Sequence, residues 1–284
     1  MTAQDFSALP HPMASDVNLQ PFKIVVAKTD IEKLYLLLDN SPIPNANWEN
    51  SHAGERFGTT RDWVINAITE WRKGYNWRRW EDRFNSHPQY TIDIRDDDGE
   101  VYTIRFNALF SKFSSAIPIL FLHGWPGSAV EFLLLLDVIR RKYLTSNSLP
   151  YYILVPDLIG FGISSKPLLN KDFNCFISEN GGYVVQGGDL GAIIAPKMAA
   201  LDPESCRLAH VNMLLMALPE GTNVEEDIRA GRYMDAELEA LSNGKAFIAT
   251  GFAYAAIQGT RPATLGLAIG SSPVALLSWP LKCR

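Results

Sequence analysis

The chain has 284 residues, 47% hydrophobic and 20% charged. That profile fits a folded protein with room for one large domain or two smaller ones and excludes a disordered or fibrous chain. Its 26 Lys and Arg against 31 Asp and Glu leave a net charge of −5, which gives no electrostatic footprint for nucleic acid or an anionic membrane surface. Three cysteines without CxxC spacing argue against a disulfide framework or a cysteine zinc site and point to a reducing, cytoplasmic location. The N-terminus lacks a basic region followed by an apolar core, and no apolar run reaches about 18 residues, so neither a signal peptide nor a membrane span is expected.

Residues 1–20 are polar, proline-containing and without period, which predicts a loose arm with a solvated His11. Thr29 and Glu32 read as a capping box, and Ile31, Leu34, Tyr35 and Leu38 share one face of a short helix that runs to Asn40 before Pro42 and Pro44. Two further helices are predicted over 61–73 and 76–85. Five of the seven tryptophans lie between Trp48 and Trp80, a density that suits packing better than an aromatic cage. Alternation at Tyr90, Ile92 and Ile94 and again at Tyr102, Ile104 and Phe106 predicts a β-hairpin. Its turn, Asp96-Asp97-Asp98-Gly99, lacks the spaced oxygens and distant Glu of a calcium loop and reads as solvated.

From Ile117 the rhythm changes to apolar strands alternating with helices, the pattern of a parallel sheet whose functional groups lie at the strands' C-terminal ends. The first strand, 117–122, runs into His123-Gly124-Trp125-Pro126-Gly127-Ser128, a loop able to supply a backbone N–H to an oxyanion. Ser128 and Glu131 read as a second capping box, for a helix through Arg141. The strand 151–156 ends in Asp157, followed by Gly160-Phe161-Gly162. The crossover to the next strand is poor in helical content, with only 171–178 able to form one.

The strand Tyr183 to Gln186 leads into Gly187-Gly188-Asp189-Leu190-Gly191. Alone, this string reads equally as an ordinary Asp-Gly turn. After a buried strand and before a helix running to Leu201, it reads as a nucleophile elbow with a carboxylate at its tip. Glycines two before and two after the tip are required where the strand and helix backbones approach too closely for a Cβ, and the helix N-terminus favours the ionised carboxylate. A further strand, 208–216, is followed by helix-prone segments over 236–240, 246–258 and 262–279, which predict a lid over the sheet's C-terminal edge. A carboxylate nucleophile suits attack at saturated carbon rather than acyl transfer, which uses Ser or Cys.

Across about 21–279 the chain resembles epoxide hydrolases of the microsomal type within the α/β-hydrolase superfamily. The motifs are HGWPGS at 123–128, PDLIGFG at 156–162, GGDLG at 187–191 with the following HVN, AYAAIQGTRPATLG at 253–266, and Trp71-Arg72, Tyr75, Trp77-Arg78, Glu81 and Phe84-Asn85. The resemblance implies an α/β fold made of an epoxide hydrolase N-terminal segment over 21–112, a partial hydrolase core over 113–218 and the start of a helical cap over 219–284. It implies that Asp189 opens the epoxide as a covalent ester, that the N–H groups of Trp125 and Leu190 form the oxyanion hole, and that Tyr254 donates a hydrogen bond to the epoxide oxygen. The expected partner is a small-molecule epoxide, without metal or organic cofactor, and a homo-oligomer is left open. Haloalkane dehalogenases also use Asp, but with a Trp directly after it where this chain has Leu190.

The family's second tyrosine, charge-relay acid and water-activating histidine fall in a C-terminal part beyond the match, so the sequence reads as truncated. The alternative function is therefore a non-catalytic or single-turnover remnant. Of the histidines present, His210 and His123 read as structural, and His52 and His87 show no partner in the sequence.

Overall fold

The computed structural model describes residues 6–8, 18–54, 58–96, 99–167, 182–214 and 220–279. The tip of the hairpin turn, the expected helix at 171–178, His11 and the chain's last residues lie outside them. The chain divides into two compact units, one of residues 1–25 with 78–216 and the other of 26–77 with 217–284.

The first unit is built on a seven-stranded sheet of β1 (Leu19–Pro21), β2 (Gln89–Arg95), β3 (Val101–Leu109), β4 (Ile117–Leu122), β5 (Tyr151–Pro156), β6 (Tyr183–Gly187) and β7 (Cys206–Val211), in the order β1-β2-β3-β5-β4-β6-β7. The last four strands in that order pair in parallel, as the apolar runs predict, while the β2–β3 hairpin joins the same sheet antiparallel through β3 and β5. Its helices are α4 (Trp77–Asn85), whose first residue belongs to the second unit, α5 (Leu133–Lys142) and α6 (Leu190–Leu201), with a 3-10 turn (Ala129–Phe132) ahead of α5.

Alternation along β4 places the core on both sides of the sheet. Ile119 and Phe121 pack against a cluster containing Leu109, Leu133, Leu136, Ile153 and Val155. Leu120 and Leu122 belong to a second cluster, with Val185, Ile194, Ala195 and Met198. Helix α5 therefore covers one face and α6 the other, which makes the strand ends between them the accessible part of the parallel core.

Within the stretch 1–20, expected as a loose arm, the described residues carry two anchors. Phe6 is 1% exposed within the α5 cluster, its carbonyl accepts from Phe110 N at 2.9 Å, and Ser7 O accepts from Tyr90 Oη. Leu19, Gln20 and Pro21 then pair with β2. A single large aromatic with a place in the core outweighs the polar composition around it.

The second unit contains α1 (Lys28–Asn40), a single turn α2 (Trp48–Ser51) and α3 (Arg61–Lys73), and then α7 (Val224–Arg229), α8 (Asp235–Ala246), α9 (Ala253–Thr260), α10 (Pro262–Gly270) and α11 (Pro273–Ser278). Leu38 of α1, Val64 and Ile68 of α3 and Val274 of α11 share one buried cluster, so the two stretches of this unit have a common core. Helix α1 starts at Lys28 after Ala27 and makes no side-chain cap, because Thr29 already lies inside the first turn. Among the described residues no helix is long and apolar enough to cross a membrane.

Candidate active site

The turn from β6 into α6 carries the strain expected of an elbow. Asp189 has φ 52°, the one positive φ at a non-glycine position among the described residues, a conformation L side chains adopt rarely. A Cβ on Gly187 would collide with the backbone carbonyl of Gly191, and one on Gly191 with the carbonyl of Leu122. The glycine two before Asp189 is therefore required by contact between the strand and helix of the elbow, as the sequence implied, and the glycine two after it by contact with the neighbouring strand β4.

The loop after β4 lies against this turn. Gly191 N donates to His123 O at 3.1 Å, and a Cβ on Gly124 would overlap the Asp189 side chain. Trp125 N and Leu190 N both donate to Oδ1 of Asp189, each at 2.8 Å. Oδ2 accepts no hydrogen bond among the described residues. Asp189, Trp125 and Leu190 are thus brought together, with one carboxylate oxygen held by two backbone donors and the other free to react.

The loop is held from behind by Asp157, which directly follows β5 and is 2% exposed. Its Oδ1 accepts from Ala129 N at 2.8 Å, and its Oδ2 accepts from Ile163 N at 3.2 Å and faces Arg105 Nη1 at 3.4 Å. Gly162, at φ 52°, leaves room for that carboxylate. The sequence showed Asp157 as a strand end without a task. The glycines of Gly160-Phe161-Gly162 were the signal available, since chain folding closely around a carboxylate needs them.

His123 is structural, as read from the sequence. Leu158 N donates to its Nε2 at 2.9 Å, so Nδ1 carries the proton and donates to Gly124 O at 3.0 Å. Burial lowers its pKa, against smaller opposing effects of the Gly124 hydrogen bond and the Asp157 and Asp189 charges, and the ring is a neutral strut with both nitrogens engaged. His87, without a partner in the sequence, has one in the fold: Nε2 lies 2.9 Å from Asp137 Oδ1 and Nδ1 lies 3.2 Å from Ser86 Oγ. His52 has Nδ1 2.9 Å from Trp48 O and stacks on that indole. His210 is exposed on β7, opposite Gln186 of β6. Tyr254 lies on α9 of the second unit, with the Phe252 ring at 6.3 Å.

A parallel core covered by helices on both faces, with a strained residue at a strand-to-helix turn facing a loop of backbone donors, defines an α/β hydrolase with a carboxylate at the elbow. Residues 19–132 match the family described as Epoxide hydrolase N terminus. A putative epoxide hydrolase of Dothistroma septosporum is 38% identical over 281 residues, covering 94% of this chain and 65% of the relative. Juvenile hormone epoxide hydrolase 1 of Ctenocephalides felis is 28% identical, covering 95% and 61%. The solved structure of Aspergillus niger epoxide hydrolase superposes with a TM-score of 0.83 at 33% identity, over 97% of this chain and 71% of that one. The chain belongs to the epoxide hydrolase family, and it spans 65% or less of the length of these two relatives.

Proposed function

We propose that the chain acts on a small-molecule epoxide in a reducing compartment, converting it towards a vicinal diol through a covalent ester on Asp189. The observation that carries this reading is the asymmetry of the Asp189 carboxylate: Oδ1 accepts two backbone N–H bonds and Oδ2 accepts none among the described residues. Oδ2 attacks an epoxide carbon, the carbon–oxygen bond of the ring breaks, and the ring oxygen takes a proton from Tyr254. Oδ1 becomes the ester carbonyl oxygen while still facing Trp125 N and Leu190 N, the two donors needed when that carbonyl becomes an oxyanion. In the same reading, 21–112 is the N-terminal segment of the family, 113–218 the core that presents the elbow and 219–284 the start of the cap that presents Tyr254.

Intact-mass analysis after incubation with styrene oxide tests the reading. The expected result is a gain of one epoxide mass, mapped to the peptide containing Asp189 and absent in Asp189→Asn. In Tyr254→Phe the adduct should form about a hundredfold more slowly, the lower end for a positioned proton donor. No adduct on the unaltered chain, or an adduct that survives Asp189→Asn, defeats the proposal.

A further inference from the structure

Gln89, the first residue of β2, is 4% exposed and uses both ends of its side-chain amide. A guanidinium has only donors, so Gln89 turns its oxygen to Arg105, accepting from Nε at 3.1 Å and from Nη2. Its nitrogen donates to the carbonyl of Phe84 and to Oδ1 of Asn85, each at 2.9 Å. Asn85, the last residue of α4, is fixed in turn by backbone: Ile24 N donates to its Oδ1 at 2.9 Å, and its Nδ2 donates to Ile24 O at 2.8 Å. Turning over either amide would set donor against donor and acceptor against acceptor.

Arg105 carries this chain of bonds to the elbow's loop. Its Nη1 faces Asp157 Oδ2, its backbone N donates to Ser164 Oγ at 2.9 Å, and that hydroxyl donates to Asp157 O at 2.7 Å. Residues 157 and 158 then grip the loop after β4 at both ends: Asp157 Oδ1 accepts from Ala129 N, and Leu158 N donates to His123 Nε2. Trp125, whose N–H meets Asp189 Oδ1, lies between the two grips. Because Gln89 is neutral, the buried Arg105 has Asp157 as its one charged partner among the described residues. A carboxylate at 89 would divide the guanidinium between two anions.

We infer that Gln89 is a positioning residue for the chemistry at Asp189: it aims Arg105 at Asp157, and through Asp157 it sets where the Trp125 N–H meets Oδ1. The inference rests on the ester reading above. Asn85 holds Gln89 in the required orientation from a backbone anchor at Ile24. Gln89 acts on geometry alone, since a shift of the Trp125 donor turns Oδ2 away from its line of attack, and a misplacement of about 1 Å can cost roughly a hundredfold in rate.

Rapid-quench mass spectrometry with styrene oxide reads three quantities for each variant. They are the rate constant of adduct formation at saturating epoxide, the concentration giving half that rate, and the final fraction of chain that carries the adduct. In Gln89→Met, which fills similar space without the amide, the rate constant should fall about tenfold while the other two quantities stay as in the unaltered chain. Gln89→Glu keeps an oxygen for Arg105 but makes it a rival to Asp157, and should also be slowed about tenfold. Asn85→Ala, which leaves Gln89 without its anchor, should be slowed about threefold. Tyr90→Phe, at the adjoining position, loses the bond to Ser7 O and some stability with it, and should react at the normal rate. A normal rate in Gln89→Met, or equal slowing in Tyr90→Phe, overturns the inference and leaves the ester reading intact. A reduced adduct fraction at an unchanged rate assigns Gln89 to folding alone and overturns it too. If Gln89→Met does not fold, Asn85→Ala decides, and a normal rate there overturns the inference. Absence of an adduct on the unaltered chain overturns both readings at once.

Discussion

At the scale of single residues, the site depends on what is missing at a few positions. Gly191 has no room for a methyl group because the Leu122 carbonyl occupies it, and Gly187 meets the Gly191 carbonyl in the same way. Backbone cannot move aside as a flexible side chain can. Gly191→Ala is expected to lower stability by about 1–3 kcal/mol, the usual cost of overpacking, and to slow ester formation by shifting Asp189 away from its two donors. Gly259 on α9 is the control, since nothing lies within 4 Å of its would-be Cβ. Gly259→Ala should stabilise by up to about 1 kcal/mol through helix propensity. Chemical denaturation of both variants checks the pair, and a Gly191→Ala protein as stable as the parent would remove the close approach from the account. The need for glycine at 187 was legible in the sequence because it is local, set by a strand and a helix joined within a few residues, whereas the space at 191 is taken by the neighbouring strand β4. The direction of the Glu131 side chain was not legible: it lies against Gly127 and does not return to Ser128 N as a capping box would.

At the scale of elements, Asp157 ties together parts of the chain that the sequence presents separately. It joins the end of β5 to the start of the 3-10 turn through Ala129 N, to the following loop through Ile163 N, and to β3 through Arg105. Arg105 is itself 2% exposed, with Gln89 as its other side-chain partner. Asp157→Ala leaves a buried guanidinium without its counter-charge and should cost about 3–5 kcal/mol. The loop carrying Trp125 N should loosen with it, so ester formation is expected to fall along with stability. Thermal unfolding and the adduct assay, run on one preparation, check both effects, and a variant with unchanged stability would show that Asp157 does not hold the loop. The element boundaries themselves followed the sequence closely where periodicity was strong. The helices predicted at 61–73 and from Leu190 to Leu201 form over those residues, and β4 and β5 match their apolar runs.

For the molecule as a whole, two buried imidazoles set a direction for stability against pH. Burial, the largest effect at each, lowers the pKa of His87 and of His123 despite the opposing pull of nearby carboxylates. The folded chain therefore keeps both rings neutral where the unfolded chain, with an ordinary histidine pKa of about 6.5, takes up protons. The unfolded state binds more protons below that point, so this contribution is fully present above about pH 6.5 and is lost as the pH falls towards the lowered folded values. The melting temperature should decline from about pH 6.5 downwards, ahead of carboxylate titration. A melting temperature flat between about pH 7 and pH 5 would contradict the burial of these two rings.

By itself the sequence determined the family, the parallel rhythm of the core and the identity of the elbow residue, because all three rest on short motifs and on periods that act within a turn or a strand. It also placed Trp125 and Leu190 beside the candidate nucleophile through the family resemblance. Only the tertiary structure decided how the site is wired. Trp125 N and Asp189 Oδ1 are separated by 64 positions, and His87 and Asp137 by 50. The first pair forms when β4 and β6 pair side by side and the second when α5 meets the turn ahead of β2, and no local propensity encodes either. The tautomer of His123 and the task of Asp157 have the same origin: each is set by a neighbour supplied by a different element, and that neighbour arrives only when the sheet assembles.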